Sequence, residues 1–153
     1  MGKLIALADA VHIQGRRVFT NGVFDILHVG HVRYLQAARA LGDCLIVGLN
    51  GDASARALKG EQHPLVPQAE RAEVLAALGC VDYVIIFDEP TAERLVEALR
   101  PEVYVKGGDY AADRKALPEA KVVERYGGRV VLLPYESGKS TTAIINDILQ
   151  RYC

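Results

Sequence analysis

The chain has 153 residues, half of them hydrophobic and 24% charged, with a formal net charge of -1. That is a globular composition long enough for one buried core, and its charge balance argues against a protein that grips nucleic acid by neutralising phosphates. Cys44, Cys80 and Cys153 form no C-x-x-C pair, so neither a disulfide framework nor a zinc knuckle is expected; no apolar run is long enough to span a bilayer, no membrane partner is expected, and with no targeting segment visible the expected location is the cytoplasm.

In chain order, Leu4, Leu7, Ala8 and Val11 have helical spacing and predict a short helix over 3–13, leading into a single domain of 1–153. Val18-Phe19-Thr20 predicts the first strand and 29–41 the first large helix. The run 44–49 is continuously apolar and predicts a strand buried on both faces. Lys59-Gly60-Glu61-Gln62-His63-Pro64 reads as a polar, mobile loop. Helices follow over 68–78, 91–100 (ended by Pro101), 118–126 (ended by Gly127-Gly128) and 141–150, with strands at 83–87, 103–105 and 130–133. In the last helix Ile144, Ile145, Ile148 and Leu149 share one face.

Strands alternating with helices predict a Rossmann-like α/β fold, an open five-stranded parallel sheet in the order 3-2-1-4-5 with helices on both faces. In such a sheet ligands bind beyond the carboxyl ends of the strands, where the strand order reverses. Here that point lies between the first and fourth strands, and unusual loops follow both.

After the first strand comes Thr20-Asn21-Gly22-Val23-Phe24-Asp25-Ile26-Leu27-His28-Val29-Gly30-His31. His28 and His31 are three residues apart at a helix start and share a face. Gly30 leaves the backbone bare, and the helix start adds free N–H groups and a positive dipole end. These are the requirements of an anion such as a triphosphate. A metal held by the two histidines with Asp25 is the competing reading; no H-E-x-x-H frame or cysteine ligand accompanies them, so direct protein ligation of a metal is not expected.

After the fourth strand comes Lys106-Gly107-Gly108-Asp109-Tyr110, whose glycines permit tight turns against a ligand and whose Asp109 suits a ribose or base, although a plain turn has the same composition. Glu136-Ser137-Gly138-Lys139-Ser140-Thr141-Thr142 looks like the tail of a P-loop, but the upstream glycine is replaced by Leu133, which excludes a Walker A site. It reads instead as a hydroxyl-rich helix start. Lys59 and Arg71, each taken alone, read as solvated charges. No G-x-G-x-x-G occurs, which argues against a dinucleotide oxidoreductase.

The 20–31 segment resembles the opening motif of the H-x-G-H nucleotidyltransferase superfamily, in its cytidylyltransferase-like group. Within that group, Gly48-Leu49-Asn50-Gly51-Asp52, Leu58-Lys59-Gly60, 105–110 and 140–145 resemble the adenylyltransferase domain of ADP-heptose synthase. The resemblance covers nearly the whole chain; 111–117 match loosely and receive no role.

The resemblance implies transfer of AMP from ATP to D-glycero-β-D-manno-heptose 1-phosphate, giving ADP-heptose and pyrophosphate, with Mg²⁺ accompanying the triphosphate. It implies His28, His31 and Lys59 as catalytic residues. It implies Thr20, Asn21, Gly22, Phe24, Asp25, Gly30, Arg71, Lys106, Gly107, Asp109, Ser140, Thr141 and Thr142 as nucleotide-binding residues, Arg71, Ser140 and Thr141 on the phosphates. Asn50 and Asp52 are candidates for the sugar phosphate. In some relatives the domain is fused to a sugar kinase; a chain of this length is expected to be a stand-alone form, and relatives suggest a homodimer. The runner-up is a cytidylyltransferase acting on glycerol 3-phosphate or a similar small phosphate; from another class, the alternative is a non-catalytic nucleotide-binding regulatory module.

Overall fold

The computed structural model describes residues 3–107, 117–134 and 138–153. Five strands, β1 (Arg17–Gly22), β2 (Cys44–Asn50), β3 (Tyr83–Phe87), β4 (Val103–Gly107) and β5 (Arg129–Leu133), form one sheet in the order β3-β2-β1-β4-β5. Every pairing is parallel. Seven helices complete the described elements: α1 (Leu7–Ala10), α2 (Val29–Arg39), α3 (Asp52–Lys59), α4 (Gln68–Ala77), α5 (Glu93–Leu99), α6 (Pro118–Arg125) and α7 (Thr141–Tyr152).

The period-two alternation of a strand divides the core between the two faces. Val18, Leu45, Val47, Val84, Val103 and Val105 pack with Leu35 and Ala38 of α2 and Ala72 and Leu75 of α4. Phe19, Ile46, Ile85 and Tyr104 point the other way, onto Leu95, Val96 and Leu99 of α5 and Val122 and Val123 of α6. β2 is buried along its whole length, as its unbroken apolar run requires.

Three departures from the sequence expectation have physical causes. The leading segment is not a helix over 3–13. Its first residues pair with the open edge of β3, Val84 N–H donating to Lys3 O (2.8 Å) and Ile5 N–H to Val84 O (3.0 Å), so that only Leu7–Ala10 is helical. Pairing satisfies backbone groups at an edge that would otherwise be open. Second, α3 occupies a stretch for which the sequence predicted no element, and it ends at Lys59, the first residue of the expected polar loop. Its sequence, Asp-Ala-Ser-Ala-Arg-Ala-Leu-Lys, is rich in helix formers, with Asp52 in the first turn, Lys59 in the last and Gly60 (φ 108°) ending it. Only Ser54 and Ala55 of this helix are buried, which leaves almost no apolar periodicity to read. Third, α5 begins at Glu93, and the chain leaves it through Arg100 in the left-handed region (φ 46°) before Pro101.

No residue of α7 is buried; Ile144 and Ile145 are half-buried, while Ile148 and Leu149 are exposed. Among the described residues no helix is long and apolar enough to cross a membrane.

Candidate active site

The carboxyl ends of β1 and β4 part company. The two strands pair at Val18–Val103 and Phe19–Tyr104 only, although β1 runs on to Gly22 and β4 to Gly107. Side chains tie the diverging ends together. Tyr104 Oη donates to Asn21 Oδ1 (2.7 Å), Lys106 Nζ donates to Asn21 O (2.7 Å), and Tyr34 of α2 joins Thr20 Oγ1 (2.7 Å) to Val105 O (3.2 Å). This crevice is the switch point that the strand order predicts.

His28 is the N-cap of α2 and His31 lies in its first turn. The Gly30 N–H donates to Nδ1 of His28 (3.1 Å), and the His28 N–H donates to Nδ1 of His31 (3.4 Å). Each ring therefore uses its Nδ1 lone pair internally, and a neutral ring in that state carries its proton on Nε2. The rings are 3.9 Å apart between centroids, and Phe24 lies 5.4 Å from His31. Burial, then the charge of His28, lowers the His31 pKa to about 4. Partial burial and then Lys139 lower that of His28. At neutral pH the cap thus presents two neutral N–H donors, aimed by the backbone, at a helix start already positive by its dipole.

Gly30 is small for a reason visible in its surroundings. A Cβ there would lie 2.8 Å from Cε1 of His28 and 3.0 Å from Cβ of Lys139. The start of α7 thus sits directly on the start of α2. Thr141 Oγ1 donates to Ile26 O (3.1 Å), and Ser140 Oγ accepts from the Ala143 N–H (3.0 Å) as N-cap. Thr142 is exposed beside them.

Lys106 is enclosed between the strands. Burial lowers its pKa to about 8; Glu119 opposes the shift and Lys59, at the end of α3, adds to it. Lys59 is exposed, yet close enough to act on Lys106. The structure therefore brings His28, His31, Gly30, Lys59, Lys106, Ser140 and Thr141 to one end of the sheet. Gly22 and Gly107 close their strands there. Asp109, Gly108 and Tyr110 lie outside the described residues, as do Glu136 and Ser137.

Several residues expected to face a nucleotide face the protein instead. Thr20 is fully buried under Tyr34. Asp25 gives both carboxylate oxygens to the next loop, accepting from Leu65 N (2.8 Å) and Val66 N (2.9 Å), with His63 Nδ1 at 3.4 Å. Arg71 is not a solvated charge. It is 1% exposed and donates to Val66 O, Val23 O, Asn50 O and Asp52 Oδ1 at 2.7–2.8 Å. Asp52 also accepts from Gln68 N (2.9 Å), while its own N–H donates to Gln68 Oε1 (2.8 Å). Asn50 bonds to Ser54 Oγ (3.1 Å). Together these contacts tie residues 63–66 to the loop that carries the histidines, while 59–62 are exposed.

Sequence reasoning missed Tyr34, Tyr104, Gln68 and Lys139. Tyr104, two residues before Lys106 in an otherwise aliphatic strand, has a readable signal, and Lys139 stands in the segment that looks like a P-loop tail; Tyr34 and Gln68 have none outside the fold.

Comparison with known proteins agrees with this geometry. A family model described as cytidylyltransferase-like matches residues 19–147, and the chain belongs to that family. It is 57% identical over 150 residues to the bifunctional protein HldE of Geobacter sulfurreducens and 60% identical over 146 residues to that of Geotalea uraniireducens. These matches take in 97% and 95% of this chain but only 30% and 29% of the relatives, so the chain spans under a third of their length. Among solved structures, the lipopolysaccharide core biosynthesis protein of Thermoplasma volcanium superposes with a TM-score of 0.66 at 29% identity, over 80% of this chain and 98% of that one.

Proposed function

We propose that this chain is a nucleotidyltransferase that moves AMP from ATP to a sugar 1-phosphate, D-glycero-β-D-manno-heptose 1-phosphate, and releases pyrophosphate. The observation that supports it most is the pair of Nε2–H donors at the α2 start, with Lys139 close enough to act on the His28 ring. The choice of adenine and of heptose rests on the resemblance of 48–52, 58–60, 105–110 and 140–145 to the ADP-heptose synthase domain, and on the HldE relatives.

The chemistry needs no protein nucleophile. An oxygen of the sugar phosphate attacks the α-phosphorus of ATP in line, the bond to the β-phosphate oxygen breaks, and pyrophosphate leaves with the electron pair. The protein contributes position and charge. His28 and His31 donate from Nε2 to the α- and β-phosphate oxygens, where charge grows as the bond breaks. Ser140, Thr141 and Thr142 offer hydroxyls at the second helix start. Lys59, at the C-terminal tip of α3, meets the incoming phosphate, while Asn50 and Asp52, bonded to Ser54 and Arg71, hold the start of that helix. Asp109 is assigned to the nucleoside on the resemblance alone.

Mg²⁺ fits this site as a companion of the triphosphate rather than as a resident ion. Both histidines keep Nδ1 occupied and Nε2 protonated, so neither offers a lone pair, and Asp25 has spent its oxygens on backbone amides. Among the described residues no group of three or more His, Cys, Asp or Glu could hold a metal ion. When bound, Mg²⁺ would neutralise part of the triphosphate charge.

The deciding experiment measures pyrophosphate release with ATP or CTP against heptose 1-phosphate and glycerol 3-phosphate. ATP with the heptose phosphate should be the fastest pair, and EDTA should stop it. Faster turnover of CTP with glycerol 3-phosphate would replace the substrate assignment. Silence with every pair would leave a nucleotide-binding module and remove the enzyme.

Lys106 gives this reaction a pH signature. If its ammonium serves the anionic substrate, kcat/KM should fall along an alkaline limb centred near pH 8, because this profile reports groups of the free enzyme. Lys106→Gln should be slow throughout and lack the limb. A wild-type profile flat between pH 7 and 9 would remove the Lys106 ammonium from substrate binding.

A further inference from the structure

Lys139 lies outside the roles assigned so far, and three observations place it in the reaction. Its Cβ is 3.0 Å from the position a side chain on Gly30 would take. Its backbone does not hang free, because Ser140 caps α7 and Thr141 fastens that helix to Ile26 O. Its charge reaches the His28 ring, where, after burial, it is the one ionic influence among the described residues. Among the described residues Lys139 is exposed and has no ion-pair partner. An uncompensated cation fixed against two helix starts and a histidine cap is a place for an anion.

We propose that Lys139 is a further substrate-binding residue, its ammonium gripping the phosphates that lie against His28, its Cβ packed with the His28 ring over the bare Gly30. This rests on the transferase reading given above. Lys139 has two effects at once. It attracts polyphosphate, and it adds to burial in favouring the neutral His28 ring, whose Nε2 donates to the same phosphate. Among the described residues, the groups that act electrically on the histidine pair are Lys139, from the start of α7, and the His28 ring on α2. A solvated lysine elsewhere on the surface would do neither.

The test uses Lys139→Gln and Lys139→Arg in the full chain, with three readouts. Calorimetry follows binding of inorganic tripolyphosphate, NMR follows the titration of the His28 ring, and pyrophosphate release gives KM for ATP and for the sugar phosphate. Lys139→Gln should weaken tripolyphosphate and raise KM for ATP about tenfold, the worth of roughly one charged hydrogen bond lost from a wet site. It should leave KM for the sugar phosphate within about twofold on the same reasoning, raise the pKa of His28 and leave the melting temperature unchanged. Lys139→Arg should restore all of these. Wild-type affinity of Lys139→Gln for tripolyphosphate, or an unmoved His28 titration, overturns the proposal. A wild-type protein that releases no pyrophosphate from any substrate pair defeats the transferase reading instead, and the binding and NMR arms still decide the case of Lys139.

Discussion

His31→Ala is expected to lower kcat by about a hundred- to a thousand-fold, the usual cost of one preorganised donor to a developing oxyanion. The fold should survive, because the half-buried ring contributes one long hydrogen bond of 3.4 Å to the cap and a ring contact to Phe24. His31→Gln, which keeps an N–H of similar reach, should recover part of the rate, and His28→Ala should lose a comparable amount. The same residue leaves a mark on stability. In the folded chain His31 takes up its proton only at about pH 4, against 6.5 when unperturbed. Between those values the unfolded chain binds the extra proton, so stability rises with pH across that window and is fully present above it. Melting temperature measured from pH 4 to 7 should therefore climb, and His31→Ala should flatten the climb. Near-wild-type turnover in both alanine variants would remove the donor pair from the mechanism.

The sequence made some of this legible and hid the rest for identifiable reasons. The strands declare themselves as runs such as Cys44–Asn50 and Tyr83–Phe87, whose apolar side chains have no use outside a two-sided core. Right-handed crossovers leave few orders for them, and 3-2-1-4-5 is the one expected here and found in the sheet. His28 and His31 are visible as a spacing. Their tautomer is not, since it depends on which backbone N–H groups the cap turns inward. α3 is hidden because a helix with two small buried residues leaves no apolar stripe. Lys59 was visible as a cation, but its place at a helix tip was not, and that changes its character from a swinging arm to a mounted one. Lys139 could be read only after α7 was seen to start on top of Gly30.

Arg71 shows the same limit most clearly, and it carries the second large expected effect. Taken alone in the sequence, Arg71 reads as a solvated charge near a helix start, and only the family resemblance puts it on a phosphate. The structure buries the guanidinium to 1% exposure and surrounds it with three carbonyls and one carboxylate. Those acceptors come from the loop before His28, the end of β2, the start of α3 and the 60–67 segment. Removing the side chain leaves the carbonyls of Val23 and Asn50 without this donor, and each buried acceptor so stranded costs about 1–3 kcal/mol. Asp52 is partly exposed and can turn to water, so its loss adds little. Arg71→Ala should therefore lose about 3 kcal/mol in urea denaturation. Arg71→Lys should also lose much of it, because a single ammonium cannot reach four acceptors from one point. A phosphate-binding arginine predicts the reverse: near-normal stability with a much raised KM for ATP. If Arg71→Ala melts like the wild type and binds ATP poorly, the clamp is wrong. In that case the guanidinium must leave its carbonyls when the nucleotide arrives.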